Sequence, residues 1–366
     1  MKQVRLTALL LLTVMLLSLL PSCAFFEEET VALYAGDTEI TEGMYAYIRS
    51  AAKYRFVATY KNEGLRDTAI GWSSLSNDGE RTWRERFEYE LEDYTVRLLT
   101  AAYLFDAHYG FSLSEYDESE IEASIALMVQ DMGSEDALEE ALEETVHCTV
   151  KDVRRVAILN AKANALFEEL YGADGTGVHA SILEARYQAS YVRIKTVFIR
   201  QMGKLIGEGD VHEEFTPEQE EEALRRISIL EAALDSGEMT EARFLTLQAD
   251  YNEDKTTADA YPNGFYFSKD ASYDRAVIDA ALDMQVGEVR LVSGEYGTYL
   301  VRRYENEVGG YAMTANEDWF VSFAYGVAQE EFAKLIEEKK DAVLFAEGIE
   351  VTDVRDIAFD YRLILR

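Results

Sequence analysis

The period of the apolar positions changes along the chain, and the changes mark out its elements. Between Thr82 and Phe105 the residues Trp83, Phe87, Leu91, Tyr94, Leu98, Ala101 or Ala102, and Phe105 recur every three to four positions, which predicts a long helix with one apolar face. A second helix is predicted from Ser114, a capping residue, with Ile121, Ile125 and Met128 on one side, and others over about 135–145 and 149–171. Upstream, Val31-Ala32-Leu33-Tyr34 and Ile40 bracket Gly36-Asp37, the pattern of a strand, a tight turn and a helix entering at Thr41. The glycines of Gly172-Ala173-Asp174-Gly175-Thr176-Gly177 predict a loop and the clearest internal break.

Beyond that loop the period shifts to two. From Tyr191 to Ile199, Val192, Ile194, Thr196 and Phe198 alternate with Tyr191, Arg193, Lys195 and Val197, which predicts a strand. After a loop to Phe215, Thr216-Pro217-Glu218-Gln219 places an N-cap, a first-turn proline and a capping-box glutamine in order. The helix they open has Ala223, Leu224, Ile227, Leu230 and Leu234 as its apolar face. Gly237 closes it, and Thr240 opens a shorter one with Phe244, Leu247 and Tyr251 inward. A turn-rich stretch to Asn263, an aromatic strand over 265–267, a helix over about 274–284 and strands near 289–292 and 298–303 follow. The last region predicts a helix over about 316–340, with Trp319, Phe323, Val327 and Phe332 inward, and strand or irregular segments at 343–345 and 349–357.

The ends and the charge narrow the setting. Lys2 and Arg5 precede an apolar run from Leu6 to Leu20, too short for the ~20 residues of a spanning helix, so 1–22 reads as an export signal. Leu20-Pro21-Ser22-Cys23 resembles a bacterial lipobox, which implies lipidation at Cys23 and a tether over 23–30. The expected location is the extracytoplasmic face of the cell membrane. Removing Lys2 and Arg5 with the signal takes the net charge from −34 to −36, a field that repels nucleic acid. With Cys23 lipidated, Cys148 is the remaining thiol, so no internal disulfide is expected and stability rests on packed cores. The length of 366 residues suits two of them.

Several chemistries find no support. The chain has no His-Glu-x-x-His, Cys-x-x-Cys, Gly-x-Ser-x-Gly or phosphate-binding glycine loop, so no metal and no cofactor is expected. His147 and Cys148 are adjacent, and neighbouring side chains diverge, so they read as structural. The run Glu218–Glu222 reads as the solvated first turns of a helix. An aromatic content of 12%, with 23 tyrosines, suits either a groove for extended peptide or ordinary packing.

A resemblance sharpens the picture. The run Phe244-Leu245-Thr246-Leu247-Gln248-Ala249-Asp250-Tyr251-Asn252-Glu253-Asp254, then Asn263-Gly264-Phe265-Tyr266, Ala280-Ala281-Leu282, Gly287-Glu288-Val289 and Tyr296-Gly297 resemble in order and spacing the motifs of parvulin-type peptidyl-prolyl isomerases. The stretches 31–44 and 111–115 resemble the N-terminal region of the PrsA/SurA group of extracytoplasmic foldases. The resemblance implies an α+β protein: a mostly helical chaperone domain over 31–185, and a parvulin-like, FKBP-like domain with a small antiparallel sheet over 190–305. A C-terminal helix and tail over 310–366 would return to the first domain.

The departures bear on activity. The two active-site histidines of the family fall at Thr196 and about Tyr299, while this chain has its histidines at His108, His147, His179 and His212. The methionine and phenylalanine of the proline pocket fall at about Tyr273 and Val277, and the third wall stays as Leu282. The positions matching the catalytic site are thus Thr196, Asp254 and Tyr299, and those matching the peptide site are Phe265, Phe267, Tyr273, Val277 and Leu282. What is implied is a lipid-anchored foldase that binds unfolded, newly exported proteins through a degenerate parvulin domain. Two alternatives stay open: an active isomerase with an altered pocket, and a non-catalytic scaffold for one folded envelope partner.

Overall fold

The computed structural model describes residues 29–203, 214–237, 239–347 and 352–365. The expected export signal over 1–22, the expected lipidation site Cys23, and His212 lie outside them. The fold is α+β, with helices dominant and two small antiparallel sheets. The chain divides into two compact units, 1–166 with 334–366, and 167–333.

In the first unit, β1 (Val31–Ala35) and β2 (Thr38–Thr41) form a hairpin, and the short β7 (Leu344–Phe345) pairs with the other edge of β1. Thr41 caps α1 (Glu42–Tyr60), its hydroxyl accepting from the Met44 amide at 3.4 Å. A single turn, α2 (Ala69–Ser73), precedes α3 (Trp83–Tyr103), which opens on a Thr82–Glu85 capping box and ends in a π-helical turn over Leu104–His108. Then come α4 (Glu115–Met132), α5 (Glu135–Thr145) and α6 (Val150–Tyr171). Phe56, Trp72, Trp83 and Phe87 interlock at the centre, and Val343, Val354, Ile357 and Leu363 from the chain's end join the same core. Aromatic rings at these separations add to the gain from burial alone.

In the second unit, α7 (Ala180–Ser190) leads into β3 (Val192–Arg200). Next are α8 (Pro217–Asp235), α9 (Glu241–Tyr251), α10 (Lys255–Ala260) and β4 (Phe265–Phe267). After α11 (Arg275–Asp283), the strands β5 (Val289–Ser293) and β6 (Gly297–Tyr304) complete a sheet of order β4-β3-β6-β5. The Thr216–Gln219 capping box and the N1 proline of α8 form as the sequence spells them.

Helices cover both faces of β3, so the simple alternation of inward and outward residues gives way. Val192 and Ile194 pack toward α11, while Val197 and Ile199 pack with α8 and α9. The face of α8 differs from expectation for the same reason: Ala223, Ile227, Leu230 and Ala233 are buried, and Leu224 is 59% exposed. The helix expected over about 316–340 is two elements. A 3-10 segment over Thr314–Trp319 is followed by α12 (Phe323–Lys339), and Ser322 between them holds φ +63°.

Candidate functional site

β3 and β6 run antiparallel with Phe198 opposite Tyr299 and Thr196 opposite Val301. This register places Thr196 and Tyr299 near one another, with Tyr273, just before α11, alongside. Thr196 and Tyr299 are buried, and Phe198 stacks on Tyr299 with centroids 4.5 Å apart. The Thr196 hydroxyl lies beside that of Tyr273 and partly offsets the effect of burial on it. Burial raises the Tyr273 hydroxyl well above the ordinary tyrosine range, and the charge of Asp254 adds to this. Tyr299 is raised likewise, first by burial, then by Tyr273, Asp274 and Asp254. Thr196, Asp254 and Tyr299 therefore share one neighbourhood centred on Tyr273.

Asp254 has a second task. Its Oδ1 accepts from the Thr257 amide at 3.1 Å, which caps α10. The same stretch also holds the edge of β3. Asn252 accepts from the Phe198 amide at 2.8 Å and donates to the Asp254 carbonyl at 2.6 Å, while the Glu253 amide donates to the Phe198 carbonyl at 2.9 Å. Gln248 donates to the Thr196 carbonyl at 3.0 Å. Residues 248–254 thus substitute for a neighbouring strand where β4 no longer reaches, which is a physical reason for their residue types and spacing.

The apolar candidates are closely packed. Phe265, Phe267 and Val277 are 3%, 2% and 0% exposed. Tyr273 lies 5.6 Å from each of Phe265 and Phe267, centroid to centroid. Leu282 sits at the edge of this core and lines a cleft of about 610 Å³ with Arg186, Tyr191, Phe323 and Glu330. Two further rings close the aromatic cluster: Trp319, expected inward from the sequence, stacks on Phe265 at 5.5 Å, and Tyr261, which the sequence did not single out, meets Trp319 at 4.9 Å.

A second unforeseen residue is Asp274. Its Oδ1 caps α11 through the Ala276 amide at 3.1 Å, its Oδ2 accepts from the Glu295 amide at 2.8 Å, and its charge helps to raise Tyr299. A Cβ at Gly294 would stand 2.1 Å from Asp274 Oδ2, so glycine is required for this approach. The sequence signal for Asp274 was only that of an ordinary helix cap.

No protein family matches this chain, and no curated protein matches it. Solved structures do. PrsA from Bacillus subtilis is 14% identical, with 81% of this chain and 97% of that one covered and a TM-score of 0.25. A peptidyl-prolyl isomerase, PrsA, from Bacillus cereus is 14% identical, with 80% and 96% covered and a TM-score of 0.28. The foldase protein PrsA from Streptococcus pneumoniae is 14% identical, with 77% and 93% covered and a TM-score of 0.22.

The chemistry open to the cluster is limited by its groups. Tyrosine and threonine hydroxyls raised or fixed in this way donate and accept hydrogen bonds but do not exchange protons near neutrality. Among the described residues, no group of three His, Cys, Asp or Glu side chains is placed to hold a metal ion. No helix among them is long and apolar enough to cross a membrane.

Proposed function

We propose that the protein is an extracytoplasmic foldase or chaperone, tethered by lipid at Cys23, that binds unfolded exported polypeptides and carries a parvulin-like second unit without isomerase activity. The observation that carries the non-catalytic part is the filled centre of that unit. Thr196 and Tyr299, at the positions matching the histidines, are buried, and Phe198 stacks on Tyr299. The aromatic side chains that would receive a proline are packed against one another. Rotation about an X-Pro bond crosses a barrier of ~18–20 kcal/mol, and lowering it requires a pocket that the peptide can enter. The chaperone part rests on the ordered motif resemblance over 244–297, the export signal and the lipobox.

The grouping of Thr196, Asp254 and Tyr299 around Tyr273 favours the alternative of an isomerase with altered hydrogen bonding. The chain lacking residues 1–23 decides between them in two assays, isomerisation of a proline peptide and suppression of aggregation of an unfolded secreted protein. Suppression without isomerisation is the expected result. Isomerisation that is lost in Tyr299→Phe or Thr196→Val would overturn it.

A further inference from the structure

In the helical unit, a cleft of about 540 Å³ opens beside the end of α3, floored by Phe105, Phe111, Leu113, Ile121 and Ile158. Clefts of ~300–1,000 Å³ are the usual size for ligand sites. The helix leaves its α geometry here for the π turn over Leu104–His108, and the Phe111 amide bonds back to the Phe105 carbonyl at 2.9 Å, so both rings face the same depression. Such π turns interrupt helices where side chains must be re-aimed.

The charges on the rim differ in availability. Lys162 donates to Asp106 at 2.6 Å, and Arg154 grips Glu122 through two bonds of 2.8 and 3.1 Å. Both rim cations are therefore matched by an acid. The Glu118 carboxylate is exposed and has no partner among the described residues, and the first turns of α4 also carry Glu115, Asp117 and Glu120. The cleft thus offers an apolar floor, one free negative charge and no free positive one, on a chain of net charge −34.

We propose that this cleft binds an extended segment of an unfolded exported polypeptide, with one large apolar side chain on the Phe105–Ile158 floor and a lysine or arginine close in sequence meeting Glu118. The proposal rests on the chaperone reading and adds the class of segment that is recognised. In an extended chain each residue advances ~3.3 Å, so a basic residue one or two positions from the anchor reaches the rim. Charge complementarity favours basic over acidic flanks, and it weakens with salt because Glu118 is exposed.

The test uses the chain lacking residues 1–23 and two labelled peptides, each with a central phenylalanine, one flanked by lysines and one by glutamates. Fluorescence anisotropy is expected to show the lysine peptide binding at least about tenfold tighter at low salt. Glu118→Lys, an exposed change, is expected to erase that preference. Ile158→Arg, checked for folding by circular dichroism, is expected to weaken binding of the lysine peptide by about tenfold or more. If the unaltered chain suppresses aggregation while both variants bind as it does, the cleft assignment fails and the chaperone reading stands. If the chain neither binds peptide nor suppresses aggregation, both fail.

Discussion

The backbone amide of Phe198 donates to the side-chain carbonyl of Asn252 at 2.8 Å, so a loop side chain completes a strand edge in the second unit. Asn252→Ala leaves the Phe198 amide and the Asp254 carbonyl without these partners in a buried setting. The expected loss is about 1–3 kcal/mol, seen as a lower midpoint in urea denaturation of the whole chain. Asn252→Asp keeps an acceptor for Phe198 but sets a buried carboxylate oxygen against the Asp254 carbonyl, and is expected to lose at least as much as Asn252→Ala.

The raised tyrosines make the second unit sensitive to alkali. Tyr273, Tyr299 and Tyr304 are all held above the ordinary value of 10.0, each chiefly by burial. A group whose folded pKa is raised gives its full contribution below the unfolded value and loses it as pH climbs toward the folded one. Stability is therefore expected to hold to about pH 10 and then fall, with phenolate absorbance appearing together with loss of near-ultraviolet dichroism. Tyr299→Phe should make the fall with pH less steep. Free ionisation of all tyrosines before any unfolding would contradict this.

Cys148 is buried in the helical unit, and burial, with Asp152 and Glu139 nearby, pushes its thiol up to about 12. Thiolate is the reactive form, so the thiol should be inert near neutral pH. In the chain lacking residues 1–23, labelling by iodoacetamide is expected to follow unfolding in urea. Rapid labelling of the native chain would refute the assignment.

Lys53 ties the end of the chain to α1. Its ammonium donates to the Ile357 carbonyl at 2.8 Å and pairs with Asp67 at 3.3 Å, while Ser50 donates to the Ala358 carbonyl at 2.8 Å. Lys53→Met strands a buried carbonyl and is expected to cost about 1–3 kcal/mol. Truncation after Glu347 removes Val354, Ile357 and Leu363 from the core and should lower the melting temperature further, measured by calorimetry.

Local chemistry explains which elements were legible in the sequence. Capping residues act within one turn, so Ser114, Thr216 and Thr240 announced their helices correctly. α7 was missed because its cap is His179 and it buries only Leu183 and Tyr187, too little to show a period. α10 buries nothing and reads as turns. Leu224 was placed inward because the helical period alone cannot say which side the sheet occupies. At the candidate site, the nearness of Thr196 and Tyr299 follows from the pairing of β3 with β6. Asp274 was not singled out in the sequence, because its bond with the Glu295 amide and its effect on Tyr299 involve residues remote in sequence.

The helical unit draws its core from both ends of the chain, since Val343, Val354, Ile357 and Leu363 pack with residues before 166. As the chain is made from its N-terminus, the first part of that core is available early and waits, with apolar surface uncovered, until the last residues have been added. The sheet unit over 167–333 is contiguous and is free to fold in the interval. Closing the long loop around an already compact insert costs less chain entropy than closing it around an unfolded one. Completion of the helical unit is therefore ordered after the sheet unit, and its timing is set by the arrival of residues 343–363.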